Sequence, residues 1–75
     1  MKIEIHTESK NPICQMTKQW LDINDYSYTE IKYDDPHVLQ AFYESLGESV
    51  NILPQIFIDD VHIGGFDQLL RSDLV

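Results

Sequence analysis

Residues 6–14 read HTESKNPIC, and they combine the end of a strand, a short loop and the abrupt start of a helix. Asn11 suits the N-cap of that helix, because its side-chain oxygen can accept a hydrogen bond from a first-turn amide. Pro12 fits the first helical position, where a missing N–H costs nothing. The only cysteine, Cys14, falls in the first turn, where exposed amides and the helix dipole favour an anion and can lower a thiol pKa. The stretch predicts a helix start that carries a thiol.

The elements on either side of this stretch follow from hydrophobic periodicity. Strands are predicted at residues 2–6, 26–33, 53–58 and 61–63, and helices at residues 12–24, 36–46 and 66–74. The first helix has a predicted buried face of Ile13, Met16, Trp20 and Ile23. Asp35 and Pro36 begin the second helix and Gly47 ends it, before a polar connection at residues 48–52.

The predicted order is therefore β-α-β-α-β-β-α within a single domain of residues 1–75. A right-handed βαβ unit makes the first two strands parallel. Asp59-Asp60 forms a tight turn between the last two strands, which are therefore antiparallel. The predicted fold is α/β, with a mixed four-stranded sheet and helices on its faces.

Composition limits the functional classes. The formal net charge of −8 opposes binding to nucleic acid or to an anionic membrane, although a solvated acidic surface is the ordinary explanation of such a charge. No apolar run approaches the ~20 residues that span a bilayer, and the alternating start lacks the apolar block of a signal peptide. One cysteine cannot form an internal disulfide, which suits the cytoplasm.

Three segments, in this order, resemble those of a glutaredoxin, a member of the thioredoxin-fold superfamily. The first is a strand with Thr7, followed by residues 11–14, NPIC, which open a helix carrying Lys18 and Leu21. The second is LPQIFI at residues 53–58, similar to the segment in which that family has a cis-proline before a core strand. The third is HIGGFD at residues 62–67, similar to the family's glutathione-binding turn.

The resemblance implies a thioredoxin-like fold and a glutathione-dependent thiol–disulfide oxidoreductase with glutathione as co-substrate. Asn11 occupies the position of the family's attacking cysteine, and Cys14 aligns with the second, resolving cysteine. Because Asn cannot attack a disulfide, we expect impaired catalysis. Binding of an iron–sulfur cluster through that position, which some relatives perform, is left open. Glu8 stands where many relatives carry a lysine that holds a glutathione carboxylate, and Lys10 is the candidate substitute.

The resemblance also implies a glutathione-binding site. Pro54 is expected in the cis form, with Leu53 presenting its backbone N–H and C=O to an extended peptide. Gly65 allows a close approach, the Phe66 amide holds the γ-glutamyl carboxylate, and Asp67 holds its ammonium group. The plain structural alternatives are a trans proline at a strand start and an ordinary turn in which Asp67 complements a helix dipole.

The implied partners are glutathione and glutathionylated or disulfide-bonded proteins, for example an oxidised ribonucleotide reductase. The protein itself is expected to be a monomer in the cytoplasm. One alternative is a non-catalytic binding module that docks glutathione or an extended peptide in the same cleft. Cys14 itself is either a shielded core residue, a reactive thiol or a regulatory thiol that forms mixed disulfides. A metal site is not expected, because His6, His37 and His62 lack ligand spacing.

Overall fold

The computed structural model describes residues 1–47 and 50–72, and its elements follow the predicted order. The strands are β1 (Ile3–Thr7), β2 (Thr29–Lys32), β3 (Gln55–Ile58) and β4 (Val61–Gly64). The helices are α1 (Pro12–Ile23), α2 (Pro36–Leu46) and α3 (Phe66–Leu70). The last helix was predicted too long, because α3 ends at Leu70 with Arg71 as its carboxyl-terminal cap. Its predicted end, Leu74, and two residues of the predicted polar connection, Glu48 and Ser49, lie outside the described residues.

The four strands form one sheet in the order β2-β1-β3-β4. Strands β1 and β2 are parallel, and β3 is antiparallel to both β1 and β4, which confirms the predicted mixed sheet. The turn between β3 and β4 has positive φ at both Asp59 (50°) and Asp60 (67°), as a two-residue turn of type I′ requires. Aspartate tolerates this conformation better than most residues, which explains a tight turn without glycine.

Three predicted strands began too early, the first by one residue, since β1 begins at Ile3 and not at Lys2. The second strand was expected from Tyr26, but the Tyr26 N–H donates to the Leu21 carbonyl (2.9 Å), and β2 begins only at Thr29. The third was expected from Leu53, but β3 begins at Gln55, directly after the loop that contains Pro54. In both places the chain is still completing a connection.

Helices cover both faces of the sheet. On one face, α1 and α3 supply Leu21 and Leu69 to a buried cluster with three sheet residues, Ile3, Ile5 and Ile56. On the other face, Phe42 of α2 stacks on the His6 ring with a centroid separation of 4.3 Å. The layers are thus helix, sheet and helix, and the core lies mainly beneath α1 and α3.

The predicted buried face of α1 was wrong. Ile13, Met16 and Ile23 are 44%, 49% and 80% exposed, and of the predicted set only Trp20 packs against the core. The buried residues are Cys14, Thr17 and Leu21. Thr17 is tolerated there because its hydroxyl donates to the Ile13 carbonyl at 2.7 Å.

The predicted helix caps are confirmed. The Asn11 side-chain oxygen accepts hydrogen bonds from the amides of Ile13 (2.9 Å) and Cys14 (3.2 Å). Asp35 accepts from the His37 amide at 2.8 Å, and Gly47 forms the carboxyl-terminal cap of α2. Over residues 1–47 and 50–72, no helix is both long enough and apolar enough to cross a membrane.

Candidate binding cleft

A cleft of about 520 Å³ lies where the start of α1, the loop before β3 and the start of α3 meet. It brings together residues far apart in the chain because β1 and β3 are neighbours in the sheet. Its lining residues are Glu8, Asn11, Ile13, Tyr43, Asn51, Ile52, Leu53, Pro54, Gly65, Phe66, Asp67 and Gln68.

Asn11 joins two walls of the cleft. Its side-chain oxygen caps α1, while its amide group donates to the Leu53 carbonyl (3.1 Å) and to Glu8 Oε1 (3.3 Å). All the polar atoms of one side chain are therefore engaged within the protein. Asparagine suits this position because it offers an acceptor and two donors together.

The Leu53–Pro54 peptide bond is cis, as expected from the resemblance. The Leu53 carbonyl was expected to be presented to a bound peptide, but it already accepts a hydrogen bond from Asn11. Over residues 1–47 and 50–72, no group accepts a hydrogen bond from the Leu53 N–H. A β carbon on Gly65 would lie 3.4 Å from the Pro54 carbonyl oxygen, an ordinary van der Waals contact, so the backbone here does not require glycine.

Cys14 lies behind Asn11, outside the lining of the cleft and without solvent exposure. Burial raises the pKa of the Cys14 thiol above its ordinary value, and a backbone hydrogen bond from Glu8 opposes this only in part. The tendency of a helix start to lower a thiol pKa is therefore overcome by loss of solvation. Of the three roles considered for Cys14, this environment favours the shielded core residue.

An ion pair close to Cys14 links three elements. Lys18 of α1 lies 3.1 Å from Glu30 of β2, and the hydroxyl of Thr7 at the end of β1 donates to the same carboxylate at 2.7 Å. These hydrogen bonds, that of Thr7 first, lower the pKa of Glu30. Lys18 is thus held by Glu30 and is not directed into the cleft.

Most of the predicted binding residues line one cavity. Asn11, Leu53, Pro54, Gly65, Phe66 and Asp67 are all in its wall. Lys10 is exposed and is not among the lining residues.

Sequence reasoning missed Tyr43, which enters the cleft from α2. A helical pattern places Tyr43 on α2 but does not show which cavity its side chain will line. Burial raises the pKa of Tyr43, and the negative charge of Glu8 raises it further, so the hydroxyl is a neutral donor at neutral pH. Ile13 and Ile52 were also missed as cleft residues, because Ile13 had been assigned to the buried face of α1 and no local pattern indicates that Ile52 lines a cleft.

Comparison with known proteins explains this combination of fold and cleft. The family model described as Glutaredoxin matches residues 3–63. This chain belongs to the glutaredoxin family. Its similarity to individual glutaredoxins extends over nearly the whole chain.

Two curated relatives and one solved structure illustrate the similarity. The chain is 38% identical over 73 residues to Glutaredoxin 1 of Rickettsia typhi, covering 95% of this chain and 69% of the relative. It is 35% identical over 72 residues to "Probable glutaredoxin" of Synechocystis sp., covering 96% and 82%. The crystal structure of Glutaredoxin 1 from Francisella tularensis, complexed with cacodylate, superposes with a TM-score of 0.85 at 37% identity, covering 93% of this chain and 88% of that one.

Membership of the glutaredoxin family supports a function of the thiol–disulfide oxidoreductase type, in a family that typically uses glutathione. The thioredoxin-like fold is shared with the solved neighbours. Within the described residues, no group of three or more His, Cys, Asp or Glu side chains is arranged to hold a metal ion.

Proposed function

We propose that this glutaredoxin binds glutathione or an extended peptide segment of a glutathionylated or disulfide-bonded protein in the cleft, without completing a disulfide exchange cycle. One observation supports the proposal: Asn11 is fully hydrogen-bonded at the start of α1, where the family resemblance places the attacking thiol. An amide cannot form the mixed disulfide on which such a cycle depends.

Cys14 does not replace the missing nucleophile in this proposal. Exchange begins with attack by a thiolate on a disulfide sulfur, and it needs both a deprotonated thiol and access to the substrate. Cys14 has no exposed surface and a raised thiol pKa, so both requirements are poorly met. The cleft therefore keeps recognition while the redox step is suppressed.

Recognition uses cleft groups that have no hydrogen-bond partner among residues 1–47 and 50–72. The Leu53 N–H pairs with the backbone of the ligand, in the manner of a short added strand. The Phe66 amide and the Asp67 carboxylate meet the carboxylate and ammonium of a γ-glutamyl group. The ring of Tyr43 and the side chain of Ile13 supply apolar contact on the opposite wall.

The biological setting is part of the same proposal. A monomer in the cytoplasm, where glutathione and transient protein disulfides occur together, meets the requirements of such a binding protein. Ribonucleotide reductase is one protein of the disulfide-bonded class that the cleft would recognise. The family and the small acidic chain support this setting.

The test is glutathione-dependent reduction of a small mixed disulfide by the natural chain and by an Asn11→Cys variant, measured side by side. We expect turnover only with the variant, because the rest of the cleft remains in place. Binding of S-methylglutathione, which cannot exchange, is followed in parallel by amide chemical shifts of Leu53 and Phe66. Turnover by the natural chain would overturn the proposed loss of exchange, and absence of binding to both proteins would overturn the proposed cleft.

A further inference from the structure

The charged side chains that face the cleft are all acidic. Glu8 lies at the end beside Asn11, and Asp67 lies on the wall formed by α3. Among the described residues that line the cleft there is no lysine or arginine. The cleft therefore presents two carboxylates to a ligand without an opposing positive charge.

The positive side chains of the described chain are engaged or placed elsewhere. Lys18 pairs with Glu30 at 3.1 Å, and Lys2 pairs with Asp60 at 2.9 Å near the turn between β3 and β4. Lys10 is exposed in the loop before α1 and outside the lining. None of these groups neutralises the carboxylates of the cleft by direct contact.

Glu8 is held in place by its neighbours. Its carboxylate accepts a hydrogen bond from Asn11 Nδ2 (3.3 Å), and its charge contributes to the raised pKa of Tyr43. Glu8 is only partly exposed, so water screens its charge less than that of a surface carboxylate. A partly exposed carboxylate at the end of a cleft discriminates between ligands of opposite sign.

Glutathione matches this arrangement poorly. At neutral pH it carries two carboxylates and one ammonium group, so only one of its charges is complementary to an acidic cleft. An extended peptide with lysine or arginine side chains next to its cysteine satisfies both carboxylates and also pairs with the Leu53 N–H. The net charge of −8 attracts such a peptide from a distance as well.

We propose that the cleft selects an extended cationic peptide, one with lysine or arginine beside its cysteine, over glutathione, and that Glu8 determines this preference. The inference rests on the proposed function, because it assumes that the cleft binds an extended peptide. The proposed ligand class is therefore a basic segment of a protein.

The test uses four probes with a blocked sulfur, so that Cys14 cannot react with them. Three are capped pentapeptides with a central S-methylcysteine flanked on each side by arginine, glutamine or glutamate, and the fourth is S-methylglutathione. Dissociation constants are measured by calorimetry at low and at physiological salt. We expect the arginine peptide to bind about tenfold more tightly than the glutamate peptide, with a ratio that falls as salt screens the charges.

Two variants at Glu8 and one matched control identify the residue responsible. Glu8→Gln should reduce the arginine-to-glutamate ratio, and Glu8→Lys should reverse it and tighten binding of S-methylglutathione. Asp22→Asn makes the same change in net charge as Glu8→Gln at an exposed position of α1 outside the cleft, and it should leave the ratio unchanged.

The outcomes separate this inference from the function on which it rests. Binding of S-methylglutathione as tight as that of the arginine peptide would overturn the preference and leave the proposed binding function intact. An equal effect of Asp22→Asn and Glu8→Gln would show a general charge effect and overturn the role of Glu8. Failure of all four probes to bind would overturn both proposals.

Discussion

Asn11 makes four hydrogen bonds with one side chain, two to amides of α1, one to Glu8 and one to the Leu53 carbonyl. A cysteine at this position could not reproduce them, because a thiol is a weak donor and a weak acceptor. The residue that takes the place of the nucleophile in the proposed function therefore also stabilises the start of α1. At this position a cysteine would provide reactivity, whereas asparagine provides stability.

We predict that Asn11→Ala lowers the free energy of unfolding by about 1–2 kcal/mol, the usual cost of losing a helix cap. The lost link to Leu53 adds to the effect, since its carbonyl lies in a buried residue. Urea denaturation followed by circular dichroism measures the difference. Asn51→Ala, at an exposed asparagine of the same cleft, should change stability by less than about 0.5 kcal/mol. Equal losses in the two variants would contradict this account.

The residues of the site show where sequence reasoning succeeds and where it stops. Asn11 was identified as a helix cap from local sequence, whereas the cis form of Pro54 and the binding role of Asp67 were implied only by the family resemblance. The hydrogen bond between Asn11 and Leu53 joins residues 42 positions apart, and no local pattern contains it. Tyr43 was missed for the same reason, since its place in the cleft depends on how α2 packs.

At the scale of elements, β1, β2 and α1 meet at the Glu30 carboxylate. Thr7, Glu30 and Lys18 each come from a different element, and Thr7 is fully buried. The Glu30 carboxylate accepts the hydrogen bond of the Thr7 hydroxyl and also pairs with the Lys18 ammonium group. The group therefore ties the parallel strand pair to the helix that crosses it.

This arrangement predicts a pH dependence. Because the pKa of Glu30 is lowered in the folded state, its contribution to stability is complete above the ordinary carboxyl pKa of 4.5 and disappears as the pH falls through the lower folded value. Glu30→Gln should therefore cost about 1 kcal/mol at pH 7 and progressively less in acid. Unfolding free energies from pH 7 to pH 3 test this.

Glu44→Gln is the control for that series, because Glu44 is exposed on α2. It should leave stability nearly unchanged at every pH. A loss at Glu30→Gln that is equally large at pH 3 and pH 7 would show that its charge is not responsible.

Element order and helix starts were predictable because the signals are local: a cap, a proline, a turn residue. The buried face of α1 was not, because the most apolar residues, Ile13, Met16 and Ile23, face outward. The helix instead packs through the smaller Cys14 and Thr17, together with Leu21. Which face is buried depends on the shape of the sheet surface, and the pattern of hydrophobic residues does not contain that shape.

For the molecule as a whole, charge is the dominant imbalance, with 13 acidic and 5 basic side chains. Mutual repulsion among the acidic groups opposes the compact state, and salt screens it. We predict that raising sodium chloride from about 10 to 500 mM stabilises the fold by about 1 kcal/mol, or about 4–8 °C in Tm for a domain of this size. Differential scanning calorimetry measures the shift.

A charge-reduced variant serves as the control for the salt effect. Asp34→Asn together with Asp22→Asn, both at exposed positions, should raise Tm at low salt and reduce the response to added salt. A fall in Tm with salt in the natural chain would instead indicate that its ion pairs outweigh the repulsion.

The hydrogen bond between Asn11 and the Leu53 carbonyl links the two walls of the cleft before a ligand binds. The two walls are already fixed relative to each other, so little conformational entropy remains to be lost on binding. A cleft with linked walls favours ligands of one backbone conformation over ligands of many different conformations. In the proposed function, the asparagine that stands in place of the reactive sulfur also links the two walls of the cleft.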